Sequence, residues 1–334
     1  MFVHTHVHSE FSPLDGMCKI KELVEQAVRF GNPGLALTDH ASTSGLYELQ
    51  KECEKAKIKP ILGSEFYISQ QCEKNRGHLV LLAKNNNGLK NIYLLQEYSY
   101  RESFNRKPLI NVDILKQYST DLICTSACMA NAIPQFILEG KYKEAKDMAL
   151  LFKSIFGDDF YLEIQSNTIP EQKIINEEIV NISKETDIKL ILTNDIHYVY
   201  KEDADIHEVM LALQQNKKMN DEKRWRFSTK DYYYKTEEEM KEDVKYLPTD
   251  VIENALNNTL EIMDKCNARI EKGNYLPSFP LENKTEEEYL RELTTQKYKE
   301  RIKQGIKHTK ERVERVKREL KVIEDMGYSG YFLI

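Results

Sequence analysis

Three histidines alternate near the start of the chain, in Phe2-Val3-His4-Thr5-His6-Val7-His8-Ser9. Successive side chains of an extended strand point to opposite faces, so three imidazoles at alternate positions share one face. Residues of the same ligand type return downstream. They are Asp39 and His40 in Leu37-Thr38-Asp39-His40, Glu65 in Gly63-Ser64-Glu65, and His78 beside Leu79. Cys128 follows in Thr125-Ser126-Ala127-Cys128, then Asp195 and His197 in Asn194-Asp195-Ile196-His197. Imidazole, carboxylate and thiolate together suit zinc, manganese or iron rather than calcium or magnesium alone. So many groups exceed the needs of one ion and imply two or three divalent metal ions. Clustered divalent ions make hydroxide available at neutral pH and neutralise charge developing on a phosphate oxygen. Phosphoester hydrolysis is the natural chemistry. It needs no covalent nucleophile, and no Gly-x-Ser-x-Gly elbow occurs.

Each residue alone has a plainer reading. A His-x-His pair is as often structural as ligating. Asp39 reads better as a group that orients its neighbours than as a ligand. Cys128 by itself is a small buried hydrophobe. His4 lies deeper than His6 and His8 and reads as a core or supporting residue. His207, in Asp205-Ile206-His207-Glu208, reads as a packing or surface histidine. The acidic runs Thr236-Glu237-Glu238-Glu239 and Thr285-Glu286-Glu287-Glu288 match the capping box that satisfies free N–H groups at a helix start. The set persuades where its members do not.

The elements that must position these residues are short apolar, β-branched runs at 2–8, 35–38, 60–68, 79–83, 122–125, 160–164 and 190–193. Segments of helical periodicity separate them; Ile20, Leu23, Val24, Ala27 and Phe30, for example, share one helix face that Gly31 ends. Seven strands alternating with helices predict an α/β fold with a parallel sheet, closed into a small barrel, with an open doubly wound sheet as the competitor. Most of the ligand-type residues fall at the C-terminal ends of these runs, where a parallel barrel brings distant residues together. His78 is the exception, since it opens its run. After Tyr198 the strand pattern gives way to helical segments at 204–214 and 249–266. The Pro-containing stretch Tyr275-Leu276-Pro277-Ser278-Phe279-Pro280 reads as a boundary. Beyond Thr285 the chain is helical, with Ile302, Ile306, Val313, Val316, Leu320 and Ile323 as an apolar stripe. The expected organisation is a barrel over 1–200, a helical connection over 201–275 and a further region over 276–334.

The 334 residues are 41% hydrophobic and 31% charged, which is ordinary for a globular chain. No apolar run approaches a membrane span and no signal-peptide pattern opens the chain, so a cytoplasmic protein with no membrane partner is expected. Six scattered cysteines without a CxxC pair read as reduced thiols. A net charge of −6 argues against gripping nucleic acid with the whole surface. The stretch 297–321 nevertheless holds eleven Lys or Arg against four Glu, which makes it the first candidate for a local DNA contact and otherwise a solvated helix face.

Taken together, these motifs resemble the PHP (polymerase and histidinol phosphatase) family. The resemblance narrows to the N-terminal part of the bacterial replicative DNA polymerase III alpha-subunit family of the DnaE type. Phe11-Ser12-Pro13-Leu14-Asp15-Gly16, Ser126-Ala127-Cys128-Met129-Ala130, the run from Asp205 to Gln214 and the run from Glu319 to Ile334 carry it. It implies a distorted seven-stranded barrel with a trinuclear metal centre held by His6, His8, Asp15, His40, Glu65, His78, Cys128, Asp195 and His197. Asp195, His8 and Glu65 would stand closest to the chemistry, with Glu65 or Asp195 bridging two ions. The implied ions are zinc or manganese, with iron as a further option. The implied activity is metal-dependent 3′–5′ exonucleolytic proofreading at the primer 3′ end of DNA. The implied partners are the remaining polymerase region or chain and other replisome subunits. The sequence stops at Ile334, ahead of where that family places its polymerising aspartates, so polymerisation by this chain alone is not expected. A non-catalytic, metal-stabilised scaffold for the polymerase is the alternative. A small-molecule phosphatase is a weaker one, because such enzymes would not be expected to carry the last motif.

Overall fold

β-Branched and aliphatic runs form the eight strands of one sheet. They are β1 (Gly34–Leu37), β2 (Lys59–Ser69), β3 (Arg76–Ala83), β4 (Phe104–Asn105), β5 (Lys107–Ile110), β6 (Leu122–Thr125), β7 (Phe160–Gln165) and β8 (Lys189–Thr193). The computed structural model describes residues 1–69, 76–273 and 277–334; Cys72 and the Tyr275-Leu276 part of the expected boundary lie outside the described residues. Two compact units result, Met1–Ile270 and Glu271–Ile334.

The sheet order is β4-β5-β2-β3-β6-β7-β8, with β1 paired to the first part of β2. The pairs β1/β2, β2/β5, β6/β7 and β7/β8 are parallel. The expected all-parallel sheet is corrected at β3, which runs antiparallel to both β2 and β6. Six residues separate β2 from β3, and a parallel return needs a crossover of about a dozen or more. The reversal explains why His78 opens its strand. In an antiparallel neighbour the start of β3 lies level with the end of β2, and His78 is paired with Tyr67. The β4–β5 hairpin was not expected from the pattern.

The first expected strand, residues 2–8, is extended but makes only an isolated bridge, Val7 to Ile196. It threads between β1 and the segment that follows β8. Ala36 N–H donates to the His4 carbonyl (3.1 Å) and Thr38 N–H to that of Val7 (2.9 Å). On the other side His8 N–H donates to the Ile196 carbonyl (2.8 Å) and Ile196 N–H to that of His6 (3.2 Å). With this segment the ring of β1, β2, β3, β6, β7 and β8 closes into a distorted barrel.

The interior is layered by the two-residue period of the strands. At one end Val3, Ala36, Ile61, Val80, Leu82, Ile123, Tyr161 and Ile191 form a buried apolar cluster, closed by Ile262 and Cys266 from the end of the helix Thr249–Lys265. Two residues on, the same faces carry Thr38, Gly63, Thr125, Glu163 and Thr193. Two further along come His40, Glu65, Gln165 and Asp195, while His78 takes the equivalent place on the reversed β3. Helices cover the outside. In the helix Ile20–Arg29 the residues Ile20, Leu23, Val24 and Ala27 are buried, and the chain turns out at Gly31 with φ of 71°.

Thr236 and Thr285 cap the helices Glu237–Asp243 and Glu286–Lys303 through complete capping boxes with Glu239 and Glu288. In the second unit the helices Glu286–Lys303 and Lys310–Asp325 are joined by the ion pair of Arg291 with Glu324. The expected apolar stripe is broken there, because the first of these helices ends before Ile306.

His4 faces away from the other histidines. Its Nε2 donates to the Lys235 carbonyl at 2.9 Å and its ring packs edge-on against Phe2 and Tyr234. Burial is the larger cause that lowers its pKa from 6.5 to about 4; the Lys235 charge adds to it and the hydrogen bond opposes it. A group whose pKa is depressed by folding favours the fold while neutral. Its contribution is complete above pH 6.5 and is lost as pH falls towards 4, and the displacement is worth about 3 kcal/mol. His4→Gln keeps an N–H donor but does not titrate. Urea unfolding should show it less stable than the parent at pH 7.5 and by a smaller margin at pH 4.5; an equal margin at both pH values contradicts this role.

Candidate metal centre

The polar end of the barrel gathers all nine residues singled out as ligands. His6 and His8 come from the N-terminal segment and Asp15 from the loop behind it. His40 follows β1, Glu65 lies in β2 and His78 in β3. Cys128 comes from the loop after β6, and Asp195 and His197 from the segment after β8. Glu65 is the hub. Its Oε1 lies 3.3 Å from His6 Nε2 and 3.1 Å from His78 Nδ1. Its Oε2 lies 3.3 Å from His8 Nε2 and 2.7 Å from His40 Nδ1. Asp195 Oδ1 stands 3.2 Å from both His6 Nε2 and His8 Nε2. Asp15 reaches His40 Nε2 at 2.8 Å and His197 Nε2 at 4.0 Å. Cys128 Sγ is 3.5 Å from His78 Nδ1 and 3.9 Å from Glu65 Oε1.

Three imidazoles are fixed so that Nε2 faces the cluster. His6 Nδ1 meets Glu163 Oε2 at 3.1 Å, His8 Nδ1 meets Ser12 Oγ at 3.2 Å, and His197 Nδ1 donates to the Asp195 carbonyl at 2.8 Å. Tying one ring nitrogen to the protein leaves the other free to ligate. Ser12 Oγ also donates to Asp39 (2.7 Å) and accepts from His40 N–H (3.0 Å). Asp39 is further held by Ser9 N–H and Oγ at 2.7 and 2.8 Å, so its carboxylate orients the loop and stays out of the cluster. His207 is buried, its Nε2 donating to the Asp15 carbonyl at 2.7 Å. Asn131 Nδ2 steadies β3 through the His78 carbonyl at 2.6 Å.

Glu163 escaped the sequence analysis. It is fully buried, accepts from Thr193 Oγ1 (2.6 Å) and Thr125 Oγ1, and its own N–H donates to Ser126 Oγ (2.8 Å). The available signal was an acidic residue inside the apolar run Phe160-Tyr161-Leu162-Glu163-Ile164, where an unpartnered carboxylate would be costly.

The loops that deliver ligands are conformationally constrained. Leu14, Ala41, Ala127 and Asp195 have φ of 62°, 43°, 53° and 53°, a left-handed region that costs a non-glycine residue roughly 1 kcal/mol or more. Each is one of the nine candidate ligands or stands beside one. Gly16 serves a different need, since a Cβ there would come within 2.4 Å of the Ser9 carbonyl oxygen.

The electrostatics are those of a cation site. Burial works against charge on Glu65, Asp195, Asp15, His40 and His8, and neighbouring charges then decide the direction for each. Despite burial, Glu65 is held well below the usual carboxylate range by His78, His40 and His6. Asp195 is lowered by His6 and His197, and Asp15 by its hydrogen bond to His40, in both cases against burial. His40 rises to about 10 because Glu65 and Asp15 outweigh its burial. His8 falls to about 3 through burial and the neighbouring His40 and His197. The Cys128 thiol is pushed up by burial, then by Glu65 and Asp195.

The donor set fits divalent metal ions. His6 Nε2, His8 Nε2, His40 Nδ1, Glu65 Oε2 and Asp195 Oδ1 are buried atoms that approach one another to 2.7–3.3 Å without hydrogen-bond geometry. Three overlapping groups, His6/His8/Asp195, His8/His40/His197 and His40/Glu65/His78, each converge their donor atoms within 4.8 Å. A cavity of about 350 Å³ opens over the cluster, with Gln165, Trp225, Arg226, Phe227 and Tyr232 on its walls.

The family model for the PHP domain matches residues 4–167, and that for the bacterial DNA polymerase III alpha NTPase domain matches 288–334. The chain is 41% identical to the DNA polymerase III subunit alpha of Borreliella burgdorferi and 39% identical to that of Aquifex aeolicus. Both matches take in 100% of this chain and 30% of the relative, so the chain spans under a third of the length of these proteins. Among solved structures, an amidohydrolase from Chromobacterium violaceum is similar with a TM-score of 0.40 at 12% identity, covering 59% of this chain and 88% of that one.

Replacing Glu163 by Gln should loosen His6 without removing a ligand. Titration calorimetry should find divalent-ion affinity about 10- to 100-fold lower, the usual cost of losing such an outer partner. Unaltered affinity would refute the orienting role.

Proposed function

The chain belongs to the PHP-domain family of bacterial DNA polymerase III alpha subunits, and from that premise we propose that its barrel is a metal-dependent phosphodiesterase, acting as a 3′–5′ exonuclease on the primer 3′ end of DNA. The observation that carries this reading is Glu65, a fully buried carboxylate whose two oxygens each face two imidazoles. Such a group suits bridging two ions. His6, His8 and Asp195 would hold one side of the cluster; His40, His78, Asp15, His197 and Cys128 would hold the other. Bound zinc or manganese ions, two or three in number, would supply an acidified water and neutralise charge on the phosphoryl oxygens.

The residues of this chain have separable tasks. His6, His8 and His197 present Nε2 in fixed orientation, because Glu163, Ser12 and the Asp195 carbonyl hold their Nδ1 atoms. Asp195 and Glu65 keep negative charge at the cluster across the neutral range. Phe227 and Tyr232 narrow the water-accessible space above His197, with ring centroids 5.2 and 5.8 Å from it. Asp195, His8 and Glu65 are the residues assigned to the chemistry. The same reading divides the chain into the barrel (1–200), a helical connection (201–275) and the start of the polymerase region (276–334). It places the protein in the cytoplasm with DNA, the rest of the polymerase and replisome subunits. The basic stretch 297–321 is its candidate for a backbone contact with DNA.

A second reading draws on the burial and strain of the ligand loops: ions that hold the barrel end together for the polymerase without hydrolysing anything. Chelation lowers the melting temperature under both readings, so hydrolysis must separate them. With manganese or zinc loaded, the protein should shorten single-stranded DNA from its 3′ end. Asp195→Asn and His8→Ala should each cut that rate by more than about 100-fold, beyond the cost of losing a merely supporting residue. A nuclease-free preparation that binds the ions and never cleaves, or variants that cleave at the parental rate, would leave only the scaffold.

A further inference from the structure

The only tryptophan of the chain stands at the mouth of the cavity over the ligand cluster. Trp225 is 54% exposed, an unusual place for the largest apolar side chain, and yet its backbone is pinned. The Gln215 side chain takes both sides of it: Trp225 N–H donates to Gln215 Oε1 at 2.7 Å, and Gln215 Nε2 donates to the Trp225 carbonyl at 2.8 Å. The ring is braced from within. Phe227 meets the indole edge-on at 5.0 Å, stacks on His207 at 5.4 Å and lies 4.1 Å from Tyr232. Phe227 is also 5.2 Å from His197, so an aromatic path runs from the ligand cluster outward to the indole.

The flanking arginines differ in a telling way. Arg224 is buried and its guanidinium pairs with Glu208. Arg226 lines the cavity, its side chain is 48% exposed, and it reaches the already engaged Glu208 only at 3.7 Å. One arginine therefore anchors the loop, and the other offers its charge to the cavity.

We propose that Trp225 and Arg226 form a nucleotide subsite, which rests on the phosphodiesterase reading of the neighbouring cluster. The indole is the stacking platform for a base near the strand end, and the guanidinium takes a backbone phosphate. A braced aromatic face beside a partly exposed positive charge is the combination that binds single strands with little regard to sequence. A paired base has its faces covered by its neighbours, so the subsite selects an unstacked end. Trp225 and Arg226 are positioning residues and leave the ligand set untouched.

The lone indole is its own reporter. The 334-residue chain, loaded with zinc or manganese, is titrated with a short single-stranded oligodeoxynucleotide whose linkages resist cleavage and with an abasic sugar-phosphate strand of equal length and linkage. The base-bearing strand should quench the indole emission and the abasic strand should not. By anisotropy of a labelled oligonucleotide, Trp225→Ala should weaken binding about tenfold or more, the usual loss for one stacked base. Trp225→Phe should retain most of the affinity, and Arg226→Gln should reduce the slope of log affinity against log salt by about 1. Divalent-ion affinity should stay at the parental value in all three. Oligonucleotide binding with unchanged emission, equal quenching by the abasic strand, or parental affinity in Trp225→Ala overturns the subsite while sparing the phosphodiesterase reading. A chain that binds neither strand overturns both.

Discussion

A carboxylate buried at the centre of a barrel is tolerable only if opposite charge surrounds it. Glu65 imposes that condition on the whole polar end of this fold. Four imidazoles meet it from three separate segments, at 2.7–3.3 Å. Two of these rings are fixed from behind, His6 by Glu163 and His8 by Ser12, which Asp39 holds in turn. The strand period does the rest. Because Ile61, Gly63 and Glu65 share a face of β2, the side that closes the apolar base of the barrel must also present its carboxylate at the other end. Core and site are thus two ends of one interior, and neither could change register without the other.

The cost of the arrangement is visible in the backbone. Four non-glycine residues in left-handed conformation stand at or beside candidate ligands, in loops from four different parts of the chain. Five buried donor or acceptor atoms find no hydrogen bond inside the cluster. A protein selected for stability alone would fill such a space with apolar side chains. The closed barrel beneath holds these groups together, with their donor atoms converging within 4.8 Å.

Much of this was legible in the sequence, and the misses have physical causes. Eight of the nine candidate ligands were legible as ligand-type residues in or beside apolar runs, most of them near the C-terminal end, while Asp15 entered only through the family resemblance. His78 looked anomalous only under the assumption of a parallel sheet. The six residues between β2 and β3 already forbid a parallel crossover, so the length of that connection carried the answer. Residues 2–8 read as a strand from their alternation, yet they serve as a hydrogen-bonded clasp between β1 and the segment after β8. Alternation reports exposure of faces and not ladder pairing. Glu163 was hidden because its run reads as a buried strand, and a single acidic residue looks like noise until His6 is found against it. The pinning of Trp225 by Gln215 spans ten residues in an irregular segment, where no period exists to betray it.

One buried carboxylate, Glu65, should organise a site for more than one ion. Elemental analysis of the full chain, dialysed against zinc or manganese and then against metal-free buffer, measures this directly. Two or three tightly held ions per chain are expected. A single ion per chain, or none, would contradict this.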